Sequence, residues 1–181
     1  TNWRVNVAAL GTNGQDSPVL RLNLSNASED DNGSFFGNNN SGGYAAPTSS
    51  VLTLGGHGDV NASGGTYIAY LFATVAGVSK VGSYTGDGST DGSKVIDCGF
   101  SSGARFVLIK NTTGGDWEVY DTVRGIVAGN DPVLSLNANV AQSTTYDNLV
   151  PNSSGFAVIQ NTDGAFVTNS SGNLYIFYAI A

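Results

Sequence analysis

Methionine is absent from this sequence, cysteine and histidine occur once each, and proline only four times. A single cysteine, Cys98, permits no intrachain disulfide. Lying beside Ile96 and Phe100, it reads as a small buried hydrophobe. The one histidine, His57, stands among Gly55, Gly56 and Gly58, with no cysteine nearby. That gives zinc no ligand set, so His57 reads as an exposed turn residue. Charge is sparse too: Asp, Glu, Lys and Arg make up 12% of the chain, about half the usual share. The seven basic residues are Arg4, Arg21, Lys80, Lys94, Arg105, Lys110 and Arg124, scattered along the chain, and the net charge is −7. Phosphate backbones are bound by clustered cations, so nucleic acid is excluded as a partner, and anionic membrane surfaces with it. The longest apolar run, residues 67–78, is too short to cross a bilayer, which excludes membrane insertion. No signal peptide is visible at the start. With Thr1 first and no initiator, the expectation is a processed chain or a piece of a longer one.

Gly, Ser, Thr and Asn fill the places that charge leaves empty, giving a polar but uncharged surface. Between turn clusters such as Gly55-Gly56, Asp87-Gly88, Asp91-Gly92, Thr113-Gly114-Gly115 and Asp163-Gly164 lie short runs rich in Val, Ile, Leu, Phe and Tyr. They cover residues 5–10, 19–24, 50–54, 66–74, 94–100, 105–110, 117–122, 133–136, 155–160 and 174–180. Short apolar runs with this punctuation predict an all-β, antiparallel sandwich or jelly-roll-like fold. No window carries a sustained 3.6-residue apolar period, so almost no helix is expected. Residues 26–43 read differently, as a long exposed loop with acidic Glu29-Asp30-Asp31, a polar stretch over Asn38–Ser41, and Phe35-Phe36 as its anchor.

The chain repeats itself. Trp3 and Trp117 each open an alternating strand, and Leu20-x-Leu22-Asn23 recurs as Leu134-x-Leu136-Asn137 at the same offset (117 − 3 = 134 − 20 = 114). Pro47-x-Ser49-Ser50 recurs as Pro151-x-Ser153-Ser154 (151 − 47 = 104). Asn61-x-Ser63-Gly64 and Tyr67-Ile68-x-Tyr70 recur as Asn169-x-Ser171-Gly172 and Tyr175-Ile176-x-Tyr178 (175 − 67 = 108). Matches in one order with shifting offsets mean related units whose loops differ in length. The expected division is residues 1–77 for a first unit and 78–181 for a second, complete one. The first unit has no counterpart of residues 81–110, so it is expected to lack its opening strands. An unpaired sheet edge of that kind is normally covered by something else.

Few residues point to chemistry. Gly99-Phe100-Ser101-Ser102-Gly103 has the spacing of a hydrolase nucleophile turn, but His57 precedes it and no helix is readable after it. It reads as a β-turn, and no enzyme activity is expected. Asp87-x-Ser89-x-Asp91-Gly92 has the oxygen spacing of half a calcium loop, yet Cys98 stands where the closing acid belongs. Asp87, Ser89 and Asp91 are therefore only an alternative metal site, and the expectation is no metal and no cofactor. Alternation puts Asp116, Glu118 and Tyr120 on one face of their strand and Trp117, Val119 and Asp121 on the other. The preferred reading is a core Trp strand with a polar outer face and an Asp121–Arg124 pair. The sharper one is a sugar-stacking site at Trp117 or Tyr120. Phe35 and Phe36 are the other candidate binding residues.

The runs Tyr67-Ile68-Ala69-Tyr70-Leu71-Phe72-Ala73 and Val78-Ser79-Lys80-Val81-Gly82-Ser83-Tyr84-Thr85-Gly86 resemble a C-terminal repeat module of phage tail-fibre-type virion proteins. So do Cys98-Gly99-Phe100, Arg105-Phe106-Val107-Leu108-Ile109-Lys110, Asp116-Trp117, Asp121-Thr122-x-Arg124-Gly125 and Gly129-Asn130-Asp131-Pro132. The closing Tyr175-Ile176-Phe177-Tyr178-Ala179-Ile180-Ala181 is similar to that module's end. The resemblance covers residues 49–181 best, and it departs most at residues 26–43. It implies a virion or extracellular location, often downstream of a lectin-like sandwich, and it brings no catalytic residues. The expectation is a structural and adhesive tail-fibre or spike module touching a host-surface glycan or protein. Expected partners are other copies of itself, as a homotrimer by analogy, and other virion proteins. The alternative is a capsid decoration or filament subunit completed by a neighbouring chain. A carbohydrate-active enzyme ranks below both.

Overall fold

The computed structural model describes residues 2–10, 18–31, 33–37, 43–161 and 166–181. The polar stretch Asn38–Ser41 and the Asp163-Gly164 turn lie outside the described residues. The chain forms two compact units, Thr1–Leu71 and Phe72–Ala181, dividing six residues before the expected boundary (78 − 72 = 6). Their regular structure is nearly all antiparallel strand.

The first unit holds β1 (Arg4–Asn6), β2 (Pro18–Arg21) and β3 (Glu29–Asp30), hydrogen-bonded in the order β1-β2-β3. Its one short helix, α1 (Gly58–Asn61), is capped by His57, whose Nδ1 accepts from the Asp59 N–H at 3.0 Å. The expected turn histidine is thus an N-cap. A small core forms from Val19, Phe35, Phe36 and Tyr44.

The second unit holds β4 (Ser79–Thr85), β5 (Lys94–Asp97), β6 (Phe106–Asn111), β7 (Trp117–Asp121), β8 (Leu134–Ser135), β9 (Leu149–Asn152), β10 (Gly155–Val158) and β11 (Leu174–Ile180). They make a five-stranded sheet, β4-β11-β6-β7-β8, and a three-stranded sheet, β5-β10-β9. Alternate residues of β11 (Tyr175, Phe177 and Ala179) join Val107, Ile109 and Tyr120 in one core cluster with Ile96, Leu149, Phe156 and Val158 of the smaller sheet. Phe177 and Phe156 meet edge to face at 5.4 Å between the sheets. Cys98 belongs to this core, where burial pushes its thiol up to about 11.

The internal repeat is also a repeat of hydrogen bonds. Arg4 pairs with Arg21 and Val5 with Leu20 in the first unit, as Glu118 pairs with Ser135 and Val119 with Leu134 in the second. The Trp3 N–H donates to Asn23 Oδ1 at 3.0 Å, as the Trp117 N–H donates to Asn137 Oδ1 at 2.7 Å. The Ser50 N–H donates to Thr48 Oγ1, as the Ser154 N–H donates to Asn152 Oδ1. The Ala62 N–H donates to the Tyr67 hydroxyl, as the Ser170 N–H donates to that of Tyr175. Each of those two turns closes through a left-handed glycine, Gly64 at φ 75° and Gly172 at φ 80°. The units are related by construction, down to individual side-chain acceptors.

Candidate functional site

The second unit's chemistry gathers where β6 turns into β7. Register sets Ile109 opposite Glu118 and Val107 opposite Tyr120. The Glu118–Tyr120 side of β7 is therefore its core side. This corrects the expected polar outer face: Tyr120 is wholly buried, and Trp117 on the opposite side is only 3% exposed. Neither ring offers a face to a ligand, so no stacking site forms at Trp117 or Tyr120. The reason for Tyr120 is that it packs into the core between the second unit's two sheets. Asp121 does pair with Arg124, at 2.6 Å.

The other candidates are also occupied structurally. Phe35 and Phe36 are buried in the first unit's core, with Phe35 packed on His57 at 4.3 Å and under the Arg4 guanidinium at 4.1 Å. They anchor their loop instead of presenting it. Asp87 Oδ1 accepts from the Ser89 N–H and from Asn169 Nδ2, each at 2.9 Å, and Asp91 Oδ1 accepts from the Ser93 N–H at 3.0 Å. The Ser89 and Asn169 hydrogen bonds hold the Asp87 carboxyl at about 2. Ser89 and the two acids belong to strand-joining turns, and no three His, Cys, Asp or Glu side chains converge as metal ligands among the described residues. Gly99–Gly103 forms a bend between β5 and β6 that lies on the β9–β10 turn, with Cys98 and Phe100 N–H groups donating to the Ser154 carbonyl.

What the structure does assemble is a cleft of about 490 Å³, with Asn111, Thr113, Asp116, Glu118, Phe166 and Ser170 in its walls. These residues come from the end of β6, the turn after it, β7, and the segment before β11. Glu118 is buried and accepts from the Tyr120 hydroxyl at 2.7 Å. Burial raises its pKa to about 7, the neighbouring Asp116 adds to the rise, and Tyr120 and Lys110 oppose it. Lys110 is buried as well, its ammonium donating to the Asn111 carbonyl at 2.7 Å, and burial lowers it to about 8 against the pull of Asp116 and Glu118.

Asp116 has a different task. Its Oδ1 accepts from Asn137 Nδ2 at 2.8 Å and its Oδ2 from the Ser135 hydroxyl at 2.9 Å. At the matching place in the first unit, Asn2 Oδ1 accepts from Asn23 Nδ2. An uncharged amide thus does the same job, so the position serves to pin a turn. Glu118 and Tyr120 have no such counterparts, since Arg4 and Asn6 stand at their places (118 − 114 = 4; 120 − 114 = 6). The cleft's polar base is peculiar to the second unit.

The model of a family described as a domain of unknown function (DUF7483) matches residues 1–181. The chain belongs to the DUF7483 family. No curated protein and no solved structure matches it. Sequence reasoning about this DUF7483 chain reached Asp116, Glu118 and Tyr120 through their alternation. It did not reach Asn111, Phe166 or Ser170, because the cleft joins segments that nothing in the sequence marks as neighbours. Chemically, the DUF7483 cleft offers amide, hydroxyl and carboxyl groups beside one aromatic ring.

Proposed function

We propose that this DUF7483 chain is a structural and adhesive module of a virion surface, a tail fibre or spike, and that it displays polar loops to a host-surface glycan or protein. The observation that carries this reading is the repeated hydrogen-bond scaffold, which sets two β units in tandem with uncharged, Asn-, Gly- and Ser-rich rims. Tandem units multiply contact area and so avidity. The resemblance to tail-fibre C-terminal modules adds the location. The cleft of Asn111, Thr113, Glu118 and Ser170 is the proposed contact point for a sugar. Catalysis is not proposed: both oxygens of Asp116 are engaged in holding Asn137 and Ser135, which leaves Glu118 without a free acidic partner.

Copies of the chain associate in this reading, as a homotrimer within the particle. A second reading, a decoration or filament subunit completed by a neighbour, is favoured by the exposed apolar segment Tyr67–Leu71 of the first unit. Labelled antibody against the chain, imaged on intact particles, tests the location. Label on tail fibres or spikes supports the first reading, label on the capsid shell or along a filament supports the second, and no label on particles rejects both. A glycan array probed with the chain and with Glu118→Gln tests the contact point. The expected result is binding by the chain that the variant weakens.

A further inference from the structure

The two units share a scaffold, but their matching residues differ sharply in exposure. Trp117 is 3% exposed and Trp3 47%; Tyr175 is 0% and Tyr67 44%; Ile176 is 4% and Ile68 72%. The second unit shows what makes the difference. There β6 lies between β7 and β11, so that Trp117, Lys110 and Ile176 stand in one row, and Val119, Leu108 and Tyr178 in another. In the first unit β1 has, among the described residues, a strand neighbour at β2 alone, and none on its other edge. Tyr67–Leu71, the counterpart of β11, belongs to no sheet. Trp3 and Tyr70 touch directly at 5.7 Å. Residues 45–54 match β9 and β10 in sequence but form no strand, and Leu54 is 41% exposed where its match Val158 is 0%. Nothing within residues 1–71 matches β4, β5 or β6.

An extended apolar segment whose main-chain groups find no strand partner among the described residues is a template for strand addition. We infer that the first unit is an acceptor for β-strands of the β4–β6 type, with a β6-like strand entering between β1 and Tyr67–Leu71. The partner is a further repeat of this family, whose strand alternates as Phe106–Asn111 does. Register follows from the second unit: the residue equivalent to Lys110 lies between Trp3 and Ile68, and that equivalent to Leu108 lies between Val5 and Tyr70. A second copy of residues 1–181 does not fill this place, because its own β6 is already paired on both edges. The inference stands on the internal repeat alone and holds wherever the chain is located.

The test extends the full chain by a copy of residues 78–114 placed directly before Thr1, which reproduces the spacing of the second unit (115 − 114 = 1). The extension contains no tryptophan, so a change in indole emission reports on the chain's own Trp3 and Trp117. The expected result is a blue shift that disappears in a Trp3→Phe version, with amide exchange at Tyr67–Leu71 slowed roughly tenfold or more. An extension whose β6 copy is scrambled gives neither effect. In a second arm, a peptide of residues 105–112 added to the unextended chain protects the same amides. The inference is overturned if the extended chain keeps Trp3 and Tyr67–Leu71 as accessible as before, or if the scrambled copy protects them equally. It is also overturned if the unextended chain already shields them by pairing with itself, seen as a dimer in sedimentation.

Discussion

Glu118 and Lys110 give the stability of this protein an unusual dependence on pH. Between 4.5, the ordinary glutamate value, and about 7, the folded chain holds a proton on Glu118 that the unfolded chain has released. Stability therefore falls as pH rises through that window. Asp131, also raised by burial, acts in the same direction. Between about 8 and 9 the unfolded chain keeps a proton that folded Lys110 has lost, so stability climbs again, until above 9 the raised Cys98 thiol, which keeps its proton longer in the folded chain, opposes the gain. Melting temperatures measured across pH should pass through a minimum near 7–8. Glu118→Gln preserves an acceptor for Tyr120 and removes the buried charge. It should stabilise the chain at pH 7.5 by on the order of 2–3 kcal/mol and leave it nearly unchanged at pH 4. Trp117→Ala and Tyr120→Ala test the burial of those rings: each should cost about 3–5 kcal/mol in denaturant titration.

At the level of elements, the bonds from Asn23 and Asn137 fix where each Trp strand begins. Asn137→Ala removes the acceptor for the Trp117 N–H and a donor to Asp116, and should cost about 1–2 kcal/mol. Asp116→Asn should stay within about 0.5 kcal/mol of the parent, because the first unit already runs this turn with Asn2. Strands with dense apolar alternation, such as β6, β7 and β11, were legible in the sequence because both neighbours bury them. β4 was not, since Ser79–Thr85 is an edge strand with few apolar residues. β9 was masked by Pro151, which lacks a donor and fits only at an edge, where β9 lies. Conversely, residues 50–54 and 66–74 have strand composition and join no sheet, because composition reports what a segment prefers and not whether a neighbour is present. The same limit hid the cleft. Alternation told which side of β7 Glu118 shares with Tyr120, while only the register against the core residues Val107 and Ile109 told that this side faces inward.

Across the whole molecule, the two units differ in what holds them. The second has a continuous core between two sheets, and the first, among the described residues, a smaller cluster around Val19, Phe35, Phe36 and Tyr44. With fewer buried contacts, the first unit should open at lower free energy. Amide exchange should therefore be faster throughout β1 and β2 than in β6 and β11, and denaturant should produce two transitions in place of one. Shielding Trp3 and Tyr67–Leu71 would bring the two transitions together.

The Tyr67 hydroxyl gives that strand a further property. It accepts from the Ala62 N–H at 2.8 Å and donates to the Gly58 carbonyl at 2.7 Å, so the strand's leading end is fastened to the turn below it. An arriving strand meets an end already held in place, which lowers the entropic cost of the first contacts and lets pairing zip onward toward Leu71. Tyr67→Phe should therefore slow the association of a β6 peptide several-fold while leaving its departure nearly unchanged. One phenolic oxygen would then govern how quickly the first unit captures a partner, rather than how long it keeps one.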